Sequence, residues 1–186
     1  MKKIIMFVVI GLLLFGIQIA SADEKAPQKV YDLAKSKLAS YGTDAVIVAA
    51  VKDENAKGKT LDQIKSSDEK WKNTAGIDDN MNAMMSNTCA HELIKIADTS
   101  PSFVEIFVMD DKGANVCMTD KTSDYWQGDE AKFQKSFADG KGEVFVDNVE
   151  FDDSSQTYLV QVSVPVMDGG KAIGAITFGL DIDKIQ

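Results

Sequence analysis

From Phe103 onward the apolar residues fall into short runs of strand-like composition. Phe103–Met109, Ala114–Thr119, Glu143–Phe151, Tyr158–Met167 and Ala172–Ile182 are rich in Val, Ile, Phe and Tyr, and predict five strands. Three clusters, Asp110-Asp111-Lys112-Gly113, Asp152-Asp153-Ser154-Ser155 and Asp168-Gly169-Gly170-Lys171, predict hairpin turns. Their residues tolerate positive φ or bond their own backbone. Between the second and third strands lies a polar, helix-like insert, Asp120–Gly142, which holds Tyr125 and Trp126.

The first half of the chain has a helical period instead. Val30, Leu33, Ala34, Lys37, Leu38 and Tyr41 form an i, i+3, i+4 stripe over Glu24–Tyr41, with Gly42 as its stop. Asp44 heads a second apolar helix, Ala45–Asn55. Thr60 and Gln63 fit a capping box for a third, reaching Asn73 and carrying Trp71. Met81, Met85, Cys89, Leu93 and Ile96 line one face of a long helix expected over Asp78–Asp98, which Thr99-Ser100-Pro101 ends. Helices followed by antiparallel strands mean an α+β fold. The expectation is a five-stranded antiparallel sheet packed on the long helix, with additional N-terminal helices on the same face. Residues 23–100 form the helical region and 101–186 the sheet, within one globular domain.

Composition narrows the chemistry. The formal charge is -9, and all 20 basic residues are Lys, with no Arg. Arg supplies the planar fork that grips carboxylates and phosphates, so an anion site here would rely on Lys, backbone N–H groups, hydroxyls or amides. The acidic balance without a basic run argues against nucleic acid and against an anionic membrane surface.

Lys2-Lys3, the apolar run Ile4–Ile17 and Ala20-Ser21-Ala22 read as a secretory signal peptide over residues 1–22, cleaved after Ala22. The apolar run is short of the roughly 20 residues that a span needs, so an uncleaved anchor is the lesser reading and no stable membrane insertion is expected. Export into an oxidising compartment makes a Cys89–Cys117 disulfide the favoured state of the two cysteines; two unrelated buried thiols are the alternative. His91, the single histidine, makes a poor zinc set with them and reads as a surface or partly buried residue. Met81, Met84 and Met85 at helical spacing read as core rather than copper ligands. No metal or cofactor is expected. No nucleophile elbow, zinc helix motif, phosphate loop or redox cysteine pair is present, so the chain does not read as an enzyme.

Phe107-Val108-Met109-Asp110-Asp111-Lys112-Gly113 with Asn115-Val116-Cys117 resembles the paired strands of the single Cache family of periplasmic PAS-like sensor domains. Ser123-Asp124-Tyr125-Trp126-Gln127-Gly128-Asp129-Glu130 resembles the segment that follows them, and Gly174–Asp181 the last strand. The resemblance covers Met81–Gln186 and is nearest to stand-alone exported members. It implies a periplasmic protein that recognises a small polar solute such as an amino acid, amine or short carboxylate. It also implies a signalling or uptake partner, such as a membrane chemoreceptor or sensor kinase. The alternative is an interaction module that docks on such a receptor with no ligand of its own. Many family members read a ligand carboxylate with Arg, which is absent here.

On this reading Tyr125 and Trp126 stack on a ligand or hold a cation, or else one of them plugs the core. Asp120, Lys121 and Thr122 bind a polar head group, or else form a solvated loop. Tyr158, Gln161 and Ser163 lie on the fourth predicted strand; Gln161 and Ser163 share a face that Tyr158 does not. Asp147 reads an amine, or else sits at a solvated edge.

Overall fold

The computed structural model describes residues 24–152 and 157–185. The expected leader and the turn after Asp152 lie outside the described residues. Six antiparallel strands make one sheet in the order β1-β4-β5-β6-β2-β3. They are β1 (Glu24–Lys25), β2 (Phe103–Met109), β3 (Asn115–Met118), β4 (Phe145–Asp152), β5 (Thr157–Asp168) and β6 (Lys171–Asp181). The five expected strands are all present.

The sixth strand corrects the reading of residues 24–27 as helix. Proline disfavours helical backbone at the residue before it. The helix therefore starts after Pro27, as α1 (Gln28–Leu33), and Glu24 and Lys25 pair with Val149 and Asn148 of β4. A π-helical stretch, Ala34–Leu38, leads into α2 (Ala39–Tyr41). The Asp44 carboxylate accepts the N–H groups of Val46 and Ile47 and starts α3 (Ala45–Ala56). Thr60 and Gln63 close the capping box of α4 (Leu61–Asn73).

The single long helix is also corrected. It is two helices, α5 (Asp79–Ser86) and α6 (Thr88–Ala97), divided at Asn87, whose ψ of 171° is extended. The Asn87 side chain accepts the N–H of Ala90 and donates to the Val116 carbonyl of β3. Asparagine is a strong N-cap, and a tertiary acceptor on β3 fixes it in that role. The apolar stripe continues across the break, so periodicity alone does not reveal it.

Strand alternation sorts the sheet into two buried faces. On one, Val160, Val162, Val164 and Val166 of β5 and Ile176, Phe178 and Leu180 of β6 meet Val30, Leu38, Ile47, Val51, Leu93 and Ile96. Each such side chain stabilises the fold by about 1.5–3 kcal/mol on burial. On the other, Phe107, Met109, Met118 and Ala175 meet Ile64 and Trp71 of α4, Met81 of α5 and Phe133 of α7 (Ala131–Phe137). The expected placement of the helical region on one face is therefore corrected: α4 and α5 cross to the second face, where they join the insert. The insert itself is loop as far as Glu130 and helical only in α7 and the short turn after it. Cys89 of α6 and Cys117 of β3 form a disulfide, with Cα atoms 5.9 Å apart.

Candidate functional site

The second face is only partly covered. Beyond Phe107, towards the start of β2, a cavity of about 620 Å³ opens over the sheet. Val104 and Glu105 of β2 and Leu159 and Gln161 of β5 line it from the sheet. Asp147, Asn148, Glu150 and Phe151 of β4 form one wall. The loop Asp120–Ser123, with Glu130 and Lys132 at the start of α7, forms the other.

The β4 wall depends on a bulge. Val146 pairs with Val162 and Val149 with Val160, so Asp147 and Asn148 together stand opposite Gln161 alone. A bulge bends its strand and re-aims side chains. Here both bulged residues line the cavity, which strict alternation would not allow. On its outer side the bulge is backed by β1, through the Lys25–Asn148 pair.

The opposite wall is anchored from behind. The Trp71 indole N–H donates to the Thr122 carbonyl at 2.8 Å, and Asn115 Nδ2 donates to Thr122 Oγ1 at 2.7 Å. Lys121 Nζ donates to the carbonyls of Thr74 and Gly76. Lys72 bridges Asp68 and Asp124. Burial works to raise the Asp124 carboxyl pKa, but the hydrogen bonds from Lys72 and Ser123 and the Lys72 charge outweigh it and hold it below the usual range.

Five carboxylates line the cavity, Glu105, Asp120, Glu130, Asp147 and Glu150, against the ammonium groups of Lys121 and Lys132. Both lysines are occupied. Lys132 pairs with Glu130 at 2.9 Å and lies over the Phe107 ring, while Lys121 is capped by the two carbonyls. Among the described residues, Glu105, Asp120, Asp147 and Glu150 form no ion pair. Such walls favour a cation and repel an anion.

Of the residues expected at a site, Asp120, Lys121, Thr122, Asp147 and Gln161 come together here. Four do not. Tyr125 is buried in the core beside Trp71, with its hydroxyl bonded to Lys59. Trp126 donates from its indole to the Lys112 carbonyl and has Lys65 over its ring at 4.6 Å. Ser163 is fully buried against the Thr177 hydroxyl. Tyr158 is 50% exposed and meets Phe151 edge-on. The aromatic pair is drawn off because Asp68 of α4 takes both of its backbone N–H groups. His91 lies exposed on α6.

Sequence reasoning missed Glu105, Glu130, Lys132, Asn148 and Glu150. Glu105 left a signal, as the one charge inside the apolar run Phe103–Met109. The others left none, because the bulge and the path of the insert arise only in the folded sheet. Among the described residues no group of three or more His, Cys, Asp or Glu side chains is arranged to hold a metal ion.

No family profile and no curated protein matches the chain. Among solved structures it is similar to the sensor domain of the V. cholerae histidine kinase DctB, at 13% identity and TM-score 0.38, covering 85% of this chain and 55% of that one. It is similar to the ligand-binding domain of the Pseudomonas aeruginosa amino acid chemoreceptor PctC, solved with GABA, at 10% and 0.38, covering 86% and 63%. It is also similar to the sensory domain of the Campylobacter jejuni chemoreceptor Tlp3, at 12% and 0.40, covering 86% and 64%. The chain spans less than two thirds of the length of each of these chains.

Proposed function

We propose that this is an exported, non-enzymatic binding domain for a small polar solute carrying an amine, such as an amine or amino acid. The cavity beside the insert carries this reading. Its roughly 620 Å³ lies within the range of small-molecule sites, its walls come from several elements, and its carboxylates outnumber its ammonium groups. A short dicarboxylate fits poorly, since both lysines already have partners. The solute-bound state would be presented to a membrane chemoreceptor or sensor kinase on the outer side of the membrane. Binding across the bulge and the Asp120–Ser123 loop couples β4 to the insert and so offers a route for a population shift.

The test is a thermal-shift screen of the exported protein against amines, amino acids, short carboxylates and sugars. A ligand at about a hundredfold its dissociation constant stabilises the fold by roughly 2.7 kcal/mol. Stabilisation by amine-bearing solutes is the expected outcome. A response confined to dicarboxylates would defeat the reading. A flat screen would favour a protein-docking module, for which the exposed Phe151–Tyr158 pair at the rim would be the natural contact.

A further inference from the structure

We infer that the line Glu105–Gly179–Gln161, running across β2, β6 and β5, is the ammonium-reading element of the cavity, and that Gly179 determines its specificity. This rests on the solute-binding reading above and names the residues and the group they recognise. Glu105 and Gln161 each pair with Gly179, from its two sides. Adjacent strands lie about 4.8 Å apart, so the two outer residues are separated by roughly 10 Å of sheet, and an ordinary side chain on the middle strand would stand between them. With none there, Glu105 lies across the β6 backbone, and Gln161 Nε2 donates to Glu105 Oε1 at 3.1 Å. A Cβ on Gly179 would come within 2.5 Å of Glu105 Cγ and 3.0 Å of Oε1. Gly179 lies within strand β6, without the positive φ that favours glycine. Space is what asks for glycine here.

The pairing fixes how the two polar groups meet a ligand. Gln161 spends an amide N–H on Glu105, which leaves Glu105 Oε2 and the Gln161 carbonyl oxygen as acceptors for a ligand. An ammonium group is all donor, with three N–H bonds and no acceptor, and matches that pair. A hydroxyl matches it only in part, and a carboxylate is repelled by Glu105. Lys132 does not neutralise Glu105, because it is held by Glu130.

Titration calorimetry of the exported protein with diaminobutane and with butanediol, its uncharged counterpart, tests the assignment. The wild type is expected to bind the diamine and discriminate against the diol. Glu105→Gln preserves shape and should weaken diamine binding at least about tenfold, with the discrimination lost, because hydrogen bonds to charged groups are worth at least that factor. Gly179→Ala should give the same loss by turning Glu105 aside. Should that variant not fold, Glu105→Gln with an unchanged melting temperature carries the test alone. A wild type that binds the diamine alongside a Glu105→Gln variant of equal affinity and discrimination would overturn the assignment and leave solute binding standing. A wild type that takes up only succinate, or no amine, would overturn both.

Discussion

The Asp68 carboxylate accepts the backbone N–H of Tyr125 at 2.9 Å, and the same oxygen accepts that of Trp126 at 3.0 Å. Its second oxygen pairs with Lys72. One buried acid on α4 therefore fixes the most recognisable motif of the chain, and fixes it facing the core. Asp68→Ala would orphan the two backbone donors, while Lys72 keeps its pair with Asp124. The expected cost is about 3 kcal/mol, read as a lower midpoint in urea unfolding.

Trp126 is held by the Lys112 carbonyl and by packing against Gly128. Trp126→Ala should cost roughly 2 kcal/mol, less than for a fully buried Trp. The folded fraction should keep its solute affinity. Calorimetry showing affinity lost in a variant that is still folded would return the aromatic pair to the binding site.

The Cys89–Cys117 bond closes a loop between residues 28 apart in sequence and ties α6 to edge strand β3. In the chain-entropy account such a loop is worth about 3.5 kcal/mol. The double Cys→Ser variant should melt roughly 10 °C lower than the oxidised protein, at about 2–4 °C per kcal/mol for a chain this size. Masses after alkylation should differ with and without reductant.

Acid should unfold the protein through its paired carboxylates. Burial raises the Glu54 carboxyl, but hydrogen bonds from Lys57 and Lys59 and their charges bring it below its usual value of 4.5. Asp124 is likewise held below its usual 3.8. A depressed carboxylate contributes stability that is complete above the unfolded value and is lost as pH falls through the folded one. Burial pushes Asp110 the other way, against the N–H groups of Ala114 and Lys112, so its cost at neutral pH is relieved in acid. With Asp181, which the hydrogen bond from Lys184 also lowers, three lowered carboxylates against one raised predict a fall in melting temperature beginning at about pH 4.5. Glu54→Gln should flatten that fall, and a profile unchanged by it would exclude Glu54 as a source.

Much of the architecture was legible because it is local. Runs rich in Val, Ile, Phe and Tyr between turn clusters marked five strands, and the residues at Asp44, Thr60 and Gln63 announced their helix starts. The break at Asn87 was not legible, since it needs the Val116 carbonyl of a strand that follows nearly thirty residues later. Nor was β1, because two residues carry no period and their strand exists only through β4.

By itself the sequence determined the α+β class, five of the strands, the turns at Asp110–Gly113 and Asp168–Lys171 and the lack of any Arg. The tertiary structure alone decided which residues face the cavity. The β4 bulge sent Asp147 and Asn148 there together. Gly179 let Glu105 reach Gln161, and Asp68 drew Tyr125 and Trp126 away. The physical reason is the range of the interactions. Propensity and capping act within a few residues, whereas register, close backbone approach and the pairing of buried charges join segments far apart in the chain.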